Sequence, residues 1–286
     1  MAYRLSTLAD GRPVLLDEGL LEGDRARWWD LGRLSDGRLA DPLDALADAA
    51  GLDALTDAAG VPHGDPDGEV ALGDLGPSVP RPRKVFGIGM NFVAHIAEMG
   101  RAAPAIPVIF TKWPNCLSGP GSDIVLVGDR TDYEVELVAV IGRTCRDLDP
   151  SEVWDALAGV AVGQDVSDRA LQLASDPPQF SLGKSHDTFG PLGPVTSLDL
   201  VDDPGDLKLL CSVDGEMRQD SHTSLMILGV PDLIAYLSEV CTLEPGDLVF
   251  TGTPEGVGAP QGRCLEVGQL VESEIPGVGR LANRCV

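Results

Sequence analysis

Positive charge is scarce in this sequence. Against 45 aspartates and glutamates stand 21 lysines and arginines in 286 residues, a net charge of −24 and a pI near 4.3. Such a field repels polyphosphate and anionic bilayers, so neither a nucleic-acid partner nor a membrane partner is expected. Long apolar runs are missing too: none approaches the roughly 18 residues of a membrane span. The opening MAYRLSTLADGRPV lacks the basic-then-apolar pattern of a secretory signal, and a cytoplasmic protein is expected. The six cysteines never form a C-x-x-C pair, which argues against a zinc knuckle or a thioredoxin-like site. They read as reduced thiols, mostly buried. No G-x-x-x-x-G-K-[ST] and no G-x-S-x-G occurs, which excludes a P-loop and a nucleophile elbow. Gly87-Ile88-Gly89-Met90-Asn91-Phe92 starts like a dinucleotide fingerprint, but Phe92 fills the third glycine position. Close helix packing there tolerates no side chain, and the nicotinamide reading fails.

What is present is a globular composition, with 43% hydrophobic and 23% charged residues. Residues 1–80 read as a small, acidic N-terminal α/β subdomain with its linker, and 81–286 as the main domain. In the first part, YRLSTL and RPVLLD read as short strands, and Trp28-Trp29 as packing residues. Between Asp41 and Gly60 the spacing of Leu43, Leu46 and Ala47 predicts helix with Asp41 as N-cap, split in two by Gly51. The Gly, Pro and Asp-rich stretch 62–82 reads as the linker. Beyond Arg83 come short β-branched runs, among them VFGIGM, PVIFTK, EVELVAVIG, GVAVGQDV and DLVFTGTP. Helices are expected at 150–158, capped by Asp149 or Ser151, and at 230–240. Too few helices alternate with strands for a doubly wound sheet, so the fold class is α+β.

Four segments carry chemistry. In DYEVELVAV a period of two sets Asp132, Glu134 and Glu136 on one face. Those carboxylates either meet solvent, as on an edge strand, or share a cation. Asp165, closing the apolar run GVAVGQD, supplies a third carboxylate. Three oxygen ligands without cysteine or clustered histidine would suit Mg2+ or Mn2+, and Ca2+ is an ion that crystals of such a site could hold. His95 and Glu98 are three apart, so a helix would bring the carboxylate beside the imidazole, either as a surface pair or as half of a water-activating site. Lys184, one of four lysines, lies in the loop SLGKSHDTFGPLGP; its ammonium is either solvated or placed to neutralise a developing oxyanion. Thr253 follows the strand DLVF, in a turn that could also hold a carboxylate.

In order, KVFGIGMNFVAHIAEMG, PVIFTKW, DYEVELVAVIG, GQDVSDRALQ, GKSHDTFGPLGP, VDGEMRQDSHTSLMI, LEPGDLVFTGTPEGVG and GVGRLANRCV resemble the fumarylacetoacetate hydrolase family from Lys84 to Asn283. The resemblance implies a mixed β-sheet roll that dimerises, so a homodimer is expected. It implies a divalent metal on Glu134, Glu136 and Asp165, a catalytic His95–Glu98 pair on a lid segment, and Lys184 as the active-site lysine. Arg169, Gln172 and Thr253 match positions that contact substrate or brace the site. Two departures stand out: Phe92 replaces the tyrosine of N-Y-x-x-H, and His186 replaces the phenylalanine of K-S-F, where it could add a donor or acceptor near substrate. The activity implied is metal-dependent hydrolysis of a carbon–carbon bond in a β-diketone-type 2-oxo acid, an acylpyruvate or a 2,4-dioxo acid. The alternatives are decarboxylation of an oxaloacetate-like acid, isomerisation or hydration of an unsaturated 2-oxo diacid, and a non-catalytic interaction module.

Overall fold

The computed structural model of the chain describes residues 2–100, 102 and 104–286. Its backbone is a mixed sheet of eleven strands packed against a smaller antiparallel sheet of four, an α+β fold with few helices. The large sheet runs Gly68–Ala71, Arg25–Asp30, Pro13–Leu16, Arg4–Leu8, Val195–Thr196, Leu157–Gln164, Val135–Ile141, Leu248–Phe250, Val85–Gly89 and Val108–Thr111. Leu75–Gly76 pairs on the side with Arg4–Leu8. One pairing in this sheet, Leu248–Phe250 with Val85–Gly89, is parallel.

Period-two alternation in the central strand Val135–Ile141 divides the core. Val135, Leu137, Ala139 and Ile141 join a cluster that includes Leu209, Cys211 and Val271 of the four-stranded sheet and Leu233, Ile234 and Leu237 of the helix Val230–Val240. Val138 and Val140 face the other way, onto Tyr3, Leu5, Leu46 and Leu52 near the N-terminus. The expected helix at 230–240 forms with those bounds, starting at Gly229 with a proline in its first turn.

Other local expectations shift. The stretch 150–158 holds two 3-10 turns, Pro150–Glu152 and Trp154–Ala156. Pairing of Leu157 with Ile141 recruits the rest into the sheet, although Asp149 and Glu152 do form a capping box. The helices at Pro42–Ala47 and Ala49–Asp53 divide at Asp48, whose side chain accepts from Gly51 N–H at 2.9 Å; Gly51 lies inside the second helix. Asp41 caps the first. Trp29 is buried, and its Nε1 donates to Gly64 O at 3.1 Å. The stretch 62–82 is not bare turn chemistry, because it contributes Gly68–Ala71 and Leu75–Gly76 to the large sheet. Four of the six cysteines are buried. Among the described residues no helix is long and apolar enough to cross a membrane.

Candidate metal centre and active site

The strand Val135–Ile141 lies between two others and is buried throughout, so the solvent-facing reading of its carboxylates is overturned. Glu134, Glu136 and Asp165 are all buried, and one ligand oxygen from each lies within 4.8 Å of the others. Register produces this convergence. Val135 pairs with Gln164 across the ladder, which sets the residues just past each strand end side by side. Asp165 N–H donates to Glu134 O at 2.9 Å, and Gln164 Oε1 accepts from Glu134 N–H at 2.8 Å.

Buried charge must be paired or bear a large desolvation cost. Lys184 Nζ donates to Glu134 at 2.7 Å and also to Asp165 Oδ2. Arg169 spends three nitrogens inward: on Asp132 at 2.9 Å, on Gln172 Oε1 at 3.0 Å and on Glu134 at 2.6 Å. Burial alone would raise the Glu134 carboxyl, but Lys184, Arg169 and His95 outweigh it and hold it at about 2. Glu136 goes the other way. Burial, then the neighbouring Asp165 and Glu134 charges, push it well above the usual carboxylate range. A Gly252 N–H at 2.8 Å is the donor that reaches it. Gly252 holds φ at +102°, and a Cβ there would come within 2.8 Å of Asn91 Cβ, so glycine is required for this approach. An under-compensated carboxylate beside two more, with oxygen the common donor atom, suits a hard divalent cation.

His95 and Glu98 lie on the short helix Val93–Glu98, as the i, i+3 spacing predicts. Nδ1 is 3.5 Å from Glu98 Oε2, within reach of charge attraction but long for a hydrogen bond. Glu98 also accepts from Gly256 N–H at 3.1 Å and Gln261 Nε2 at 3.2 Å, which ties this helix to the loop after Leu248–Phe250. Burial lowers the imidazole below its ordinary value, opposed by Glu134 and Glu98 and aided by Arg169. The ring is therefore neutral near pH 7.

His95, Glu134, Arg169, Gln172, Lys184 and Thr253 line one cleft of about 510 Å3. Glu136 and Asp165 lie outside that lining, beside Glu134 and Lys184. Thr253 Oγ1 donates to Val135 O at 2.9 Å and accepts from Gln219 Nε2 at 2.9 Å, which fixes the strand end bearing Glu134 and Glu136. His186 does not join the cleft lining; its Nε2 is 3.3 Å from Asp168 Oδ2, and its ring meets Phe189 edge-on. Asp168 in turn caps the turn Arg169–Gln172.

Two further charged residues complete the network: Lys112, which motif reading passed over, and Asp132, which it set on the carboxylate face without a role of its own. Lys112 Nζ, fully buried, donates to Asp165 Oδ1 at 2.8 Å, to Phe189 O at 3.0 Å and to Lys184 O. Asp132 bonds Arg169 and accepts from Gly258 N–H at 2.7 Å and Ala259 N–H at 3.1 Å. The scarcity of lysine was the available signal for Lys112.

A buried carboxylate cluster suited to a divalent metal lies next to a cleft that an imidazole lines, an arrangement of the kind small-molecule sites use. The chain belongs to the fumarylacetoacetate hydrolase family, whose model, described as Fumarylacetoacetate (FAA) hydrolase C-terminal, matches residues 84–286. A crystal structure of a Mycobacterium smegmatis protein provisionally designated HpcE is similar, with a TM-score of 0.88 at 40% identity over 99% of each chain. The 5-carboxymethyl-2-hydroxymuconate delta-isomerase of Mycobacterium smegmatis is similar at a TM-score of 0.73 and 32% identity, over 100% of this chain and 98% of that one. The fumarylpyruvate hydrolase of Pseudomonas aeruginosa, solved with Mn2+ and pyruvate, reaches a TM-score of 0.66 at 32% identity, over 78% of this chain and 93% of that one. Similar structures thus include a hydrolase and an isomerase.

Proposed function

We propose that the protein is a divalent-metal-dependent hydrolase that cleaves a carbon–carbon bond in a β-diketone-type 2-oxo acid. The observation that carries this reading is the convergence of Glu134, Glu136 and Asp165 within 4.8 Å beside the cleft that His95 lines. A relative solved with Mn2+ and pyruvate supports a hard cation and a 2-oxo acid end. The three carboxylates would hold Mg2+ or Mn2+, which when bound supplies Lewis acidity toward the 2-oxo-carboxylate.

This chain's side chains divide the remaining work. His95, neutral and facing Glu98 through Nδ1, takes a proton from water. The hydroxide oxygen bonds to the distal carbonyl carbon. The bond between that carbon and the central carbon then breaks, and its electron pair leaves with the 2-oxo acid fragment as an enolate. Lys184 stabilises that charge, and protonated His95 returns the proton to the enolate carbon. Arg169 and Thr253 brace Glu134 and its strand, while Gln172 presents an amide edge to substrate.

Product analysis by NMR tests the reading. With Mg2+, acetylpyruvate should give acetate and pyruvate. Tautomerisation without cleavage, or turnover confined to oxaloacetate with release of CO2, would replace the hydrolase by an isomerase or a decarboxylase on the same centre.

A further inference from the structure

The glycines of Gly87-Ile88-Gly89-Met90, useless for a dinucleotide, have another consequence in the fold. A Cβ on Gly87 would run into the Phe110 ring at 2.2 Å, and one on Gly89 would press on the Phe180 ring at 3.2 Å. These two positions therefore exist without side chains so that two aromatic rings can lie against the strand Val85–Gly89. The rings meet edge to face, with centroids 5.7 Å apart. Phe110 also touches the chemistry, because Lys184 Nζ lies 5.0 Å from its ring centroid.

Met90, Phe110 and Phe180 line the cleft and equally an adjoining open pocket of about 800 Å3, walled further by Val108, Ile109 and Pro178 and by the polar Gln179 and Ser181. A pair of aromatic rings thus leads away from Lys184 into that pocket. Among the described residues lining either space, the permanent cations are Arg169 and Lys184. Both are anchored at the carboxylate cluster, Arg169 by Asp132, Glu134 and Gln172, and Lys184 by Glu134 and Asp165, so neither is free to pair with a second substrate carboxylate. A carboxylate seated on these rings would meet, among the described residues lining either space, no free positive charge, and giving up its water there carries a desolvation cost. Resting on the 2-oxo acid reading above, we infer that the far end of the substrate is an uncharged apolar group of several carbons, alkyl or aryl, seated on Phe110 and Phe180, and that 2-oxo acids ending in a second carboxylate are rejected.

The test separates binding from turnover. Calorimetry on the Mg2+-loaded full chain compares 2-oxoheptanoate with 2-oxoheptanedioate, which differ in the terminal carboxylate. The neutral acid should bind at least about tenfold tighter, and Phe180→Arg, which supplies a cation at the rim, should narrow or reverse that ratio. In kinetics, kcat/KM should rise about fourfold per methylene from acetylpyruvate toward hexanoylpyruvate until the pocket fills. Equal or tighter binding of the dioate by the wild type would overturn the inference. If no acylpyruvate is cleaved while the neutral acid keeps its binding advantage, the hydrolase reading fails and the apolar subsite stands. If neither acid binds, both fall.

Discussion

Lys112 Nζ lies 2.8 Å from Asp165 Oδ1, and both side chains are wholly withdrawn from solvent. One Asp165 oxygen is thereby held by Lys112, while the other turns to Lys184. Removing one member of a buried pair strands the other, which costs more than the pair contributes. Lys112→Met should destabilise the metal-free protein by about 3–5 kcal/mol. Added Mg2+ should recover part of that loss by binding the folded form and compensating the buried Asp165 charge that Lys112 no longer pairs. Urea unfolding with and without Mg2+ measures both; a loss below about 1 kcal/mol would show that the ammonium is dispensable.

Glu136 is the carboxylate with the least compensation. Glu136→Gln keeps its shape and removes its repulsion with Asp165 and Glu134. The variant should be at least as stable as wild type without metal, yet its melting temperature should no longer rise with Mg2+. A normal Mg2+-induced rise would remove Glu136 from the proposed ligand set.

The acid limb of activity should belong to His95. Because burial lowers its pKa, the neutral, proton-accepting form persists to lower pH than a free imidazole of about 6.5 would allow. Activity should therefore be full at neutral pH and fall only below that ordinary value. His95→Asn should cut kcat by about 10²- to 10⁴-fold while leaving Mg2+ affinity within about twofold. An acid limb centred above 6.5 and unchanged in His95→Asn would rule out this base.

Asn91 pins the segment that leads into the His95 helix. Its Nδ2 donates to Leu228 O at 3.0 Å and to Thr251 O at 2.8 Å, and its Oδ1 accepts from Leu228 N–H at 3.0 Å. Asn91→Ala leaves buried backbone groups without partners and should cost about 2–3 kcal/mol. Equilibrium denaturation reads the stability, and a raised KM for acetylpyruvate reads the loosened helix. Wild-type stability would mean that water replaces the amide.

Much of the site was legible because it is written locally. Glu134 and Glu136 share a strand face at any register of that strand, and His95 and Glu98 meet whenever their four residues turn as a helix. Asp165 and Lys184 stood out in their own segments, and the resemblance to the family added Arg169 and Gln172; Arg169, Gln172 and Lys184 line the cleft, with Asp165 beside Lys184. The failures were of another kind. The stretch 150–158 has good helical caps, but Leu157 gains more by pairing with Ile141. The strands inside 62–82 follow from neighbours far along the chain, Arg25–Asp30 and Arg4–Leu8, that their own residues do not announce.

The sequence by itself determined the α+β class, the acidic surface, the E-x-E strand and the helix at 230–240, since periodicity and caps act between residues a few positions apart. Tertiary structure alone decided that Lys112 sits under Asp165, that His186 turns to Asp168 instead of the cleft, and that Phe110 and Phe180 fill the space vacated by two glycines. Those contacts join residues tens of positions apart, and their energies depend on burial and partner geometry, quantities that exist only once the sheets have packed.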